Sequence, residues 1–306
     1  MLLAAGLGSR LRPLTDLRPK PIVPVANRPL GGFAMEHLAR AGVRTLVANT
    51  HPRAEEVESA LKAACPPDVT LRFSREEILL GTGGGLRRAQ GLFDDPRAST
   101  IVMNGDTLFA PDLRTACREH LRRGAVATMI LRRATDPSRF GAIGIDENGW
   151  VRTLLGEPRD RVVVEELMFT GVHILAPEAF EALPESGCVI RTAYRQWVDR
   201  GAPVLGIVDD TPWADLGTIS EYHRLNLELA SGSFPWPGIV SEEGSILAPS
   251  VEPSAQLQHC VVGEGVRLDE GVQLDRCVVW DGTRVQESAS NAVLTPLHRI
   301  EISSDP

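Results

Sequence analysis

A doubly wound, mostly parallel α/β sheet, followed by a short left-handed parallel β-helix, is the architecture this sequence predicts, and three observations predict it. Apolar runs alternate with amphipathic segments up to about residue 230, the order that covers a parallel sheet with helices. A Gly/Pro/Ser-rich stretch, Ser231 to Gly238, then breaks all periodicity. Beyond it, Val262, Leu268 and Leu274 recur every six residues, and so do Val266, Val272 and Val278, with Gly265 and Gly271 at the same step. A six-residue period suits a triangular coil in which each face takes one hexapeptide. The expected domains are residues 1–232 and 239–295.

Taken in order, Val43–Thr50, Thr100–Met103, Ala125–Leu131, Val172–Leu175 and Val204–Val208 read as strands. Segments 32–41, 53–64, 112–122, 189–199 and 218–230 read as helices, the last stopped by Gly232. Only Met1, Leu2 and Leu3 precede the first glycine loop, so the first strand is short or the chain starts upstream.

With 306 residues, 43% hydrophobic and 24% charged, the chain has the composition of an ordinary globular protein with a sizeable core. No apolar run reaches the roughly 18 residues of a membrane helix, and the start lacks the basic flank of a signal peptide, so a cytoplasmic protein with no membrane partner is expected. The net charge of −8 argues against nucleic acid as a partner but leaves room for a local cationic pocket. Five scattered cysteines with no C-x-x-C pair signal neither disulfides nor zinc. The histidines lack metal-ligand spacing, and no Gly-x-Ser-x-Gly elbow offers a hydrolase nucleophile.

The chemistry concentrates in Leu3-Ala4-Ala5-Gly6-Leu7-Gly8-Ser9-Arg10, followed by Pro19-Lys20-Pro21. A strand that empties into a glycine-rich turn can aim backbone N–H groups at a phosphate, with Arg10 and Lys20 as neutralising cations. Of 32 basic residues only Lys20 and Lys62 are lysine, and a compact ammonium suits a crowded phosphate. The dinucleotide fingerprint fails at Leu11, and the Walker Gly-Lys-Ser/Thr is missing.

Gly6-x-Gly8-Ser9-Arg10-x-x-Pro13 with Pro19-Lys20-Pro21 resembles the signature of the sugar-1-phosphate nucleotidyltransferases. The further blocks Leu80-Gly81-Thr82-Gly83-Gly84-Gly85-Leu86, Asn104-Gly105-Asp106, Phe169-Thr170-Gly171-Val172 and Trp213-x-Asp215-x-Gly217-Thr218-x-x-x-Tyr222 stand in the family's order. The resemblance covers about residues 2–230, and members with a short hexapeptide-repeat tail are similar to the rest. It implies a Rossmann-like nucleotide-diphospho-sugar transferase fold and an enzyme that makes an NDP-sugar and pyrophosphate from an NTP and a sugar 1-phosphate.

By that resemblance Arg10 holds the outer phosphates and Lys20 bridges the sugar phosphate and the α-phosphate. Asp106 and Asp215 hold Mg²⁺, a cation that takes oxygen ligands. Leu3, Ala4, Ala5, Gly6, Gly8, Ser9, Arg10, Glu76, Gly81, Thr82 and Gly83 are the implied nucleotide contacts. The glycines of 81–85 would let backbone approach base and ribose, and Glu76 would read the base, its carboxylate matching the N1–H and N2–H of guanine. Lys20, Asn104, Gly105, Glu157, Thr170 and Gly171 are the implied sugar-phosphate contacts. Here the family's Glu-Lys-Pro reads Gly156-Glu157-Pro158.

GTP with mannose 1-phosphate is the favoured pair. UTP with glucose 1-phosphate or N-acetylmuramate 1-phosphate is the alternative, and a non-catalytic regulatory subunit is the rival from another class. The tail is expected to mediate homo-oligomerisation.

Overall fold

The strand that opens the chain has room for only two residues, Leu2–Leu3, because the N–H of Ala4 already leaves the ladder and donates to Asn49 Oδ1 at 2.8 Å. In the computed structural model, which describes residues 1–135, 141–251 and 256–303, this strand lies in a nine-stranded sheet. It pairs in parallel with Thr45–Thr50 on one side (Leu2 opposite Ala48) and Thr100–Asn104 on the other (Leu2 opposite Met103). Thr70–Arg75 extends the sheet in parallel beyond Thr45–Thr50. Leu46, Val47 and Ala48 are fully buried, the continuous apolar run of a strand covered on both faces.

The strand expected at 172–175 is longer, Glu165–Leu175, because it serves two neighbourhoods. Its first residues run antiparallel to Ile143–Ile145, and its last run antiparallel to both Thr100–Asn104 and Ala127–Arg132. Val204–Val208 pairs in parallel with Ala127–Arg132.

Helices Leu30–Ala41, Ala54–Ala63 and Leu113–Arg122 fall where periodicity places them. Asp112 caps the last of these by accepting from the N–H of Thr115 at 3.0 Å. Segment 189–199 forms a wide turn, Ile190–Tyr194, and then a short helix, Arg195–Asp199. Tyr194, Trp197 and Val198 there enter the core formed with Val102, Met129 and Leu175.

Gly81–Ala89 is a helix despite its run of glycines. The glycines are required by the neighbouring backbone: a Cβ on Gly84 would stand 2.5 Å from the carbonyl oxygen of Glu185, and one on Gly81 would stand 2.8 Å from that of Gly187. Gly84→Ala gains about 1 kcal/mol of helix propensity but meets a carbonyl that cannot yield. A net loss of about 1–3 kcal/mol is expected, read as a lower urea midpoint.

The chain divides into two units, Met1–Gly6 with Gly31–Trp213, and Leu7–Leu30 with Ala214–Pro306. The sequence break at 231–238 is therefore not where contacts divide the molecule: segment 7–30 and helix Ile219–Ser231 belong with the C-terminal residues. The side chains show why. Tyr222 donates its hydroxyl to the carbonyl of Pro24 at 2.6 Å and accepts from Trp280 Nε1 at 2.9 Å. Ala26 N–H donates to Asn226 Oδ1 at 2.8 Å, Asn27 Nδ2 donates to Val262 O at 2.8 Å, and Arg18 pairs with Asp281 at 2.6 Å. Tyr222→Phe strips Trp280 of its acceptor at a buried position. We expect a loss of about 1–3 kcal/mol, measured by denaturant unfolding.

In this second unit parallel strands stack through Ile246, Val261, Val278 and Val293, advancing by 15 or 17 residues per step. Val262, Leu268 and Leu274, the six-residue marks, fall on three successive strands, Val261–Val262, Arg267–Leu268 and Leu274–Val279. Cys260 and Cys277 are buried packing residues of its core, and all five cysteines are free. Gly232, at φ 78°, ends helix Ile219–Ser231 in the left-handed conformation its position predicts.

Candidate active site

The site residues divide between the two units and are taken unit by unit. In the second unit the glycine loop closes on its own lysine. Gly8, at φ 64°, starts a tight turn over Ser9–Leu11 in which Leu11 N–H donates to Gly8 O at 3.0 Å. A Cβ on Gly8 would stand 2.8 Å from Lys20 Cβ and 2.9 Å from Thr15 Cγ2. Only glycine combines that backbone angle with that contact. Lys20 is 6% exposed, its stem laid against the loop, while Ser9 and Arg10 stand exposed. Gly8→Ala is therefore expected to unseat Lys20, with turnover falling more than stability does.

Arg10 reaches the turn before helix Ile219–Ser231. A Cβ on Gly217 would lie 2.9 Å from Arg10 Nη1, 2.9 Å from Glu221 Oε2 and 3.1 Å from Asp215 Oδ2, so a guanidinium and two carboxylates converge on one glycine. The sequence reading missed Glu221, although Thr218-x-x-Glu221 is a legible capping box. Thr218 Oγ1 accepts from Glu221 N–H at 3.2 Å, and Glu221 Oε2 accepts from Gly217 N–H at 3.1 Å.

In the first unit Asn104-Gly105-Asp106 follows a sheet strand. Gly105 N–H donates to Leu3 O at 2.9 Å, and a Cβ on Gly105 would stand 2.9 Å from the same oxygen. Glycine thus lets the chain carrying Asp106, which is half-buried, leave the sheet flush with the first strand. Asn104 lies against Gly171, where a Cβ would stand 2.5 Å from Asn104 Nδ2. Beside it Thr170 is buried with its hydroxyl donating to Ile130 O at 2.7 Å, and Trp213 Nε1 donates to Thr170 O at 3.0 Å.

Several of the expected contacts also have partners within the chain. The glycines of 81–85 make close approaches within the chain itself, Gly81 and Gly84 to residues 185–187 and Gly83 to Pro184. Gly83 N–H donates to Gly187 O at 2.8 Å, and Thr82 Oγ1 accepts from Val189 N–H at 2.9 Å. Glu157 pairs with exposed Arg159 at 3.0 Å. Ala4 and Ala5 are buried. Glu76 is 4% exposed and holds a donor on each oxygen, Asn49 Nδ2 on Oε1 at 2.7 Å and Leu80 N–H on Oε2 at 2.8 Å. Asn49 had no signal in the sequence beyond being a polar residue at the end of an apolar strand.

The histidines stay structural where they are buried. His173 meets Tyr194 Oη at 2.8 Å, and burial lowers its pKa to about 3, so it is neutral. Among the described residues no group of three or more His, Cys, Asp or Glu could hold a metal by itself. Asp106 in the first unit and Asp215 in the second each offer the carboxylate oxygens that a cation such as Mg²⁺ takes.

The chain belongs to the nucleotidyl transferase family, whose model matches residues 1–232. It is 31% identical over 238 residues to a UTP–glucose-1-phosphate uridylyltransferase of Synechocystis, covering 72% of this chain and 61% of that one. It is 29% identical over 285 residues to a mannose-1-phosphate guanylyltransferase of Mycobacterium tuberculosis, covering 89% and 78%. Among solved structures it superposes on HddC from Yersinia pseudotuberculosis with a TM-score of 0.61 at 22% identity, over 74% of this chain and 96% of that one. That likeness supports the α/β nucleotide-diphospho-sugar transferase fold with its mostly parallel central sheet. No helix among the described residues is long and apolar enough to cross a membrane.

Proposed function

We propose that this chain is a Mg²⁺-dependent sugar-1-phosphate nucleotidyltransferase. An oxygen of the sugar phosphate attacks the α-phosphorus of the triphosphate, the bond from that phosphorus to the bridging oxygen of the β-phosphate breaks, and pyrophosphate leaves. The observation that carries the reading is the loop itself, with Lys20 seated on Gly8 and Arg10 reaching the Gly217 turn beside Asp215.

Lys20 supplies one positive charge to the reacting phosphates, and Arg10 holds the outer phosphates in a fork suited to their oxygens. Leu3, Ala4, Ala5, Gly6, Gly8 and Ser9 line the nucleotide side with Gly81, Thr82 and Gly83, and Glu76 meets the base. Asn104, Gly105, Thr170 and Gly171 form the sugar-phosphate side, with Glu157 at its edge. Asp106 and Asp215 are the residues that would hold Mg²⁺, which when bound neutralises charge developing on the phosphates. The chain then needs no covalent intermediate: it binds, aligns and neutralises.

GTP with mannose 1-phosphate is the pair we favour. The relatives named mannose-1-phosphate guanylyltransferase from Mycobacterium tuberculosis and Drosophila melanogaster align over 89% and 87% of the chain, so the likeness to them continues into the tail. UTP with a glucose-type sugar phosphate is the second reading, favoured by the 31% identity to the Synechocystis relative. Competition decides between them: with GTP, UTP, mannose 1-phosphate and glucose 1-phosphate present together, GDP-mannose should be the dominant product by chromatography, and UDP-glucose would reverse the assignment.

The stack of parallel strands supports a β-helix, read here as the left-handed hexapeptide type with coils of 15 or 17 residues in place of the regular span of about 18, for which we propose a role in homo-oligomerisation. Light scattering on the intact protein should give a multiple of the chain's 33.2 kDa, and a monomer mass would remove that role.

A further inference from the structure

We propose that Asn49 is a positioning residue for nucleobase selection. It orients Glu76 against the strand that feeds the nucleotide loop, and it touches no substrate itself. The inference rests on the reading above that Glu76 meets the base.

Asn49 is the penultimate residue of the strand Thr45–Thr50 and is 3% exposed. Its amide is used at both ends. Oδ1 accepts from Ala4 N–H at 2.8 Å, in the Leu3-Ala4-Ala5 segment that runs into the glycine loop, and Nδ2 donates to Glu76 Oε1 at 2.7 Å. The other carboxylate oxygen accepts from Leu80 N–H at 2.8 Å, at the start of helix Gly81–Ala89, and the carbonyl of Glu76 meets His51 Nδ1 at 3.0 Å. Two donors thus meet the carboxylate itself, one from the strand Thr45–Thr50 and one from the start of helix Gly81–Ala89.

Each oxygen of a carboxylate accepts more than one hydrogen bond. With one donor fixed on each, Glu76 keeps one lone-pair direction per oxygen, and the plane of the group is set by a buried amide and a half-buried backbone N–H. That is the requirement for reading two adjacent donors on one edge of a base: a carboxylate free to rotate would accept from almost any N–H, whereas a held one accepts only where its plane points. Asn49 sets that plane and, through Ala4, ties it to the end of the first strand.

Gly85 shows how closely the pair is packed. A Cβ at this position would stand 2.7 Å from Glu76 Oε1 and 2.8 Å from Asn49 Nδ2. An alanine there pushes on both side chains without deleting either.

The test is steady-state selectivity, taken as the ratio of kcat/KM for the preferred triphosphate to that for the next best among GTP, ITP, ATP, UTP and CTP. Asn49→Ala should lower this ratio by about tenfold or more, the size expected when a hydrogen-bonded discrimination is loosened. The KM for the sugar phosphate should stay within about twofold of the parent value, since that substrate's contacts are untouched. Gly85→Ala should act in the same direction, and it serves alone if Asn49→Ala does not fold. A purely structural Asn49 would slow every triphosphate by the same factor and leave the ratio unmoved, and that result overturns the proposal. If the parent protein turns over no pair, the reaction assignment has failed, and the Asn49 claim is then read from calorimetric affinities for the same five triphosphates. Equal ratios in parent and variants would overturn it there as well.

Discussion

Lys20→Ala is expected to lower kcat/KM for nucleotidyl transfer by about a thousandfold while leaving the circular dichroism and urea midpoint of the protein nearly unchanged. One ammonium about 4 Å from a phosphate at an effective dielectric of about 20 contributes about 4 kcal/mol, which is about three powers of ten in rate. The effect is large because nothing nearby replaces the charge in the same way. Lys20 is seated on Gly8 with its stem buried, whereas Arg10 leaves the loop toward Gly217. Lys20→Arg should not rescue it, since a planar guanidinium fork does not stand in for a compact ammonium at a crowded phosphate. The only other lysine is the natural control. Lys62 sits over the ring of Phe73 at 5.3 Å, and Lys62→Ala should leave the kinetics unaltered.

Asp106→Asn is the second large effect, on the order of a hundredfold or more in kcat, the range for removing one group that stabilises a transition state. The fold should survive, because the Gly105 N–H to Leu3 O bond that holds the strand end is left in place. Asp215→Asn should behave alike, and the double variant should be little worse than either single one if the two carboxylates serve one ion. The apparent Mg²⁺ requirement should rise in both. Near-normal turnover at ordinary Mg²⁺ in Asp106→Asn would place the metal elsewhere.

The two effects fall on residues that were legible before the structure, and it is useful to see why others were not. Gly6, Gly8, Arg10 and Lys20 form one local pattern, and a loop's chemistry is visible when its residues lie within a few positions of one another. The parallel strands of the sheet showed because burial on both faces writes an uninterrupted apolar run, as in Leu46-Val47-Ala48. Helix Gly81–Ala89 did not show, because its glycines answer to the carbonyls of Glu185 and Gly187, about a hundred residues away, and propensity there points the other way. Asn49 and Glu221 were silent for a related reason: a buried amide or carboxylate declares its role only through partners far along the chain or through a cap, and only Thr218-x-x-Glu221 left a local trace. The break at Ser231–Gly238 was real in composition, yet the pairing of Tyr222 with Pro24 and Trp280 joins what composition separates.

The central claim is that this chain transfers a nucleotidyl group to a sugar 1-phosphate. Pyrophosphate release by the purified full-length protein with Mg²⁺, across a matrix of four nucleoside triphosphates and several sugar 1-phosphates, tests it most directly. The account predicts release in one pair well above all others, with GTP and mannose 1-phosphate foremost, and its loss in Lys20→Ala. A folded protein that binds a triphosphate yet releases no pyrophosphate with any partner would contradict it and make the chain a regulatory member of its family.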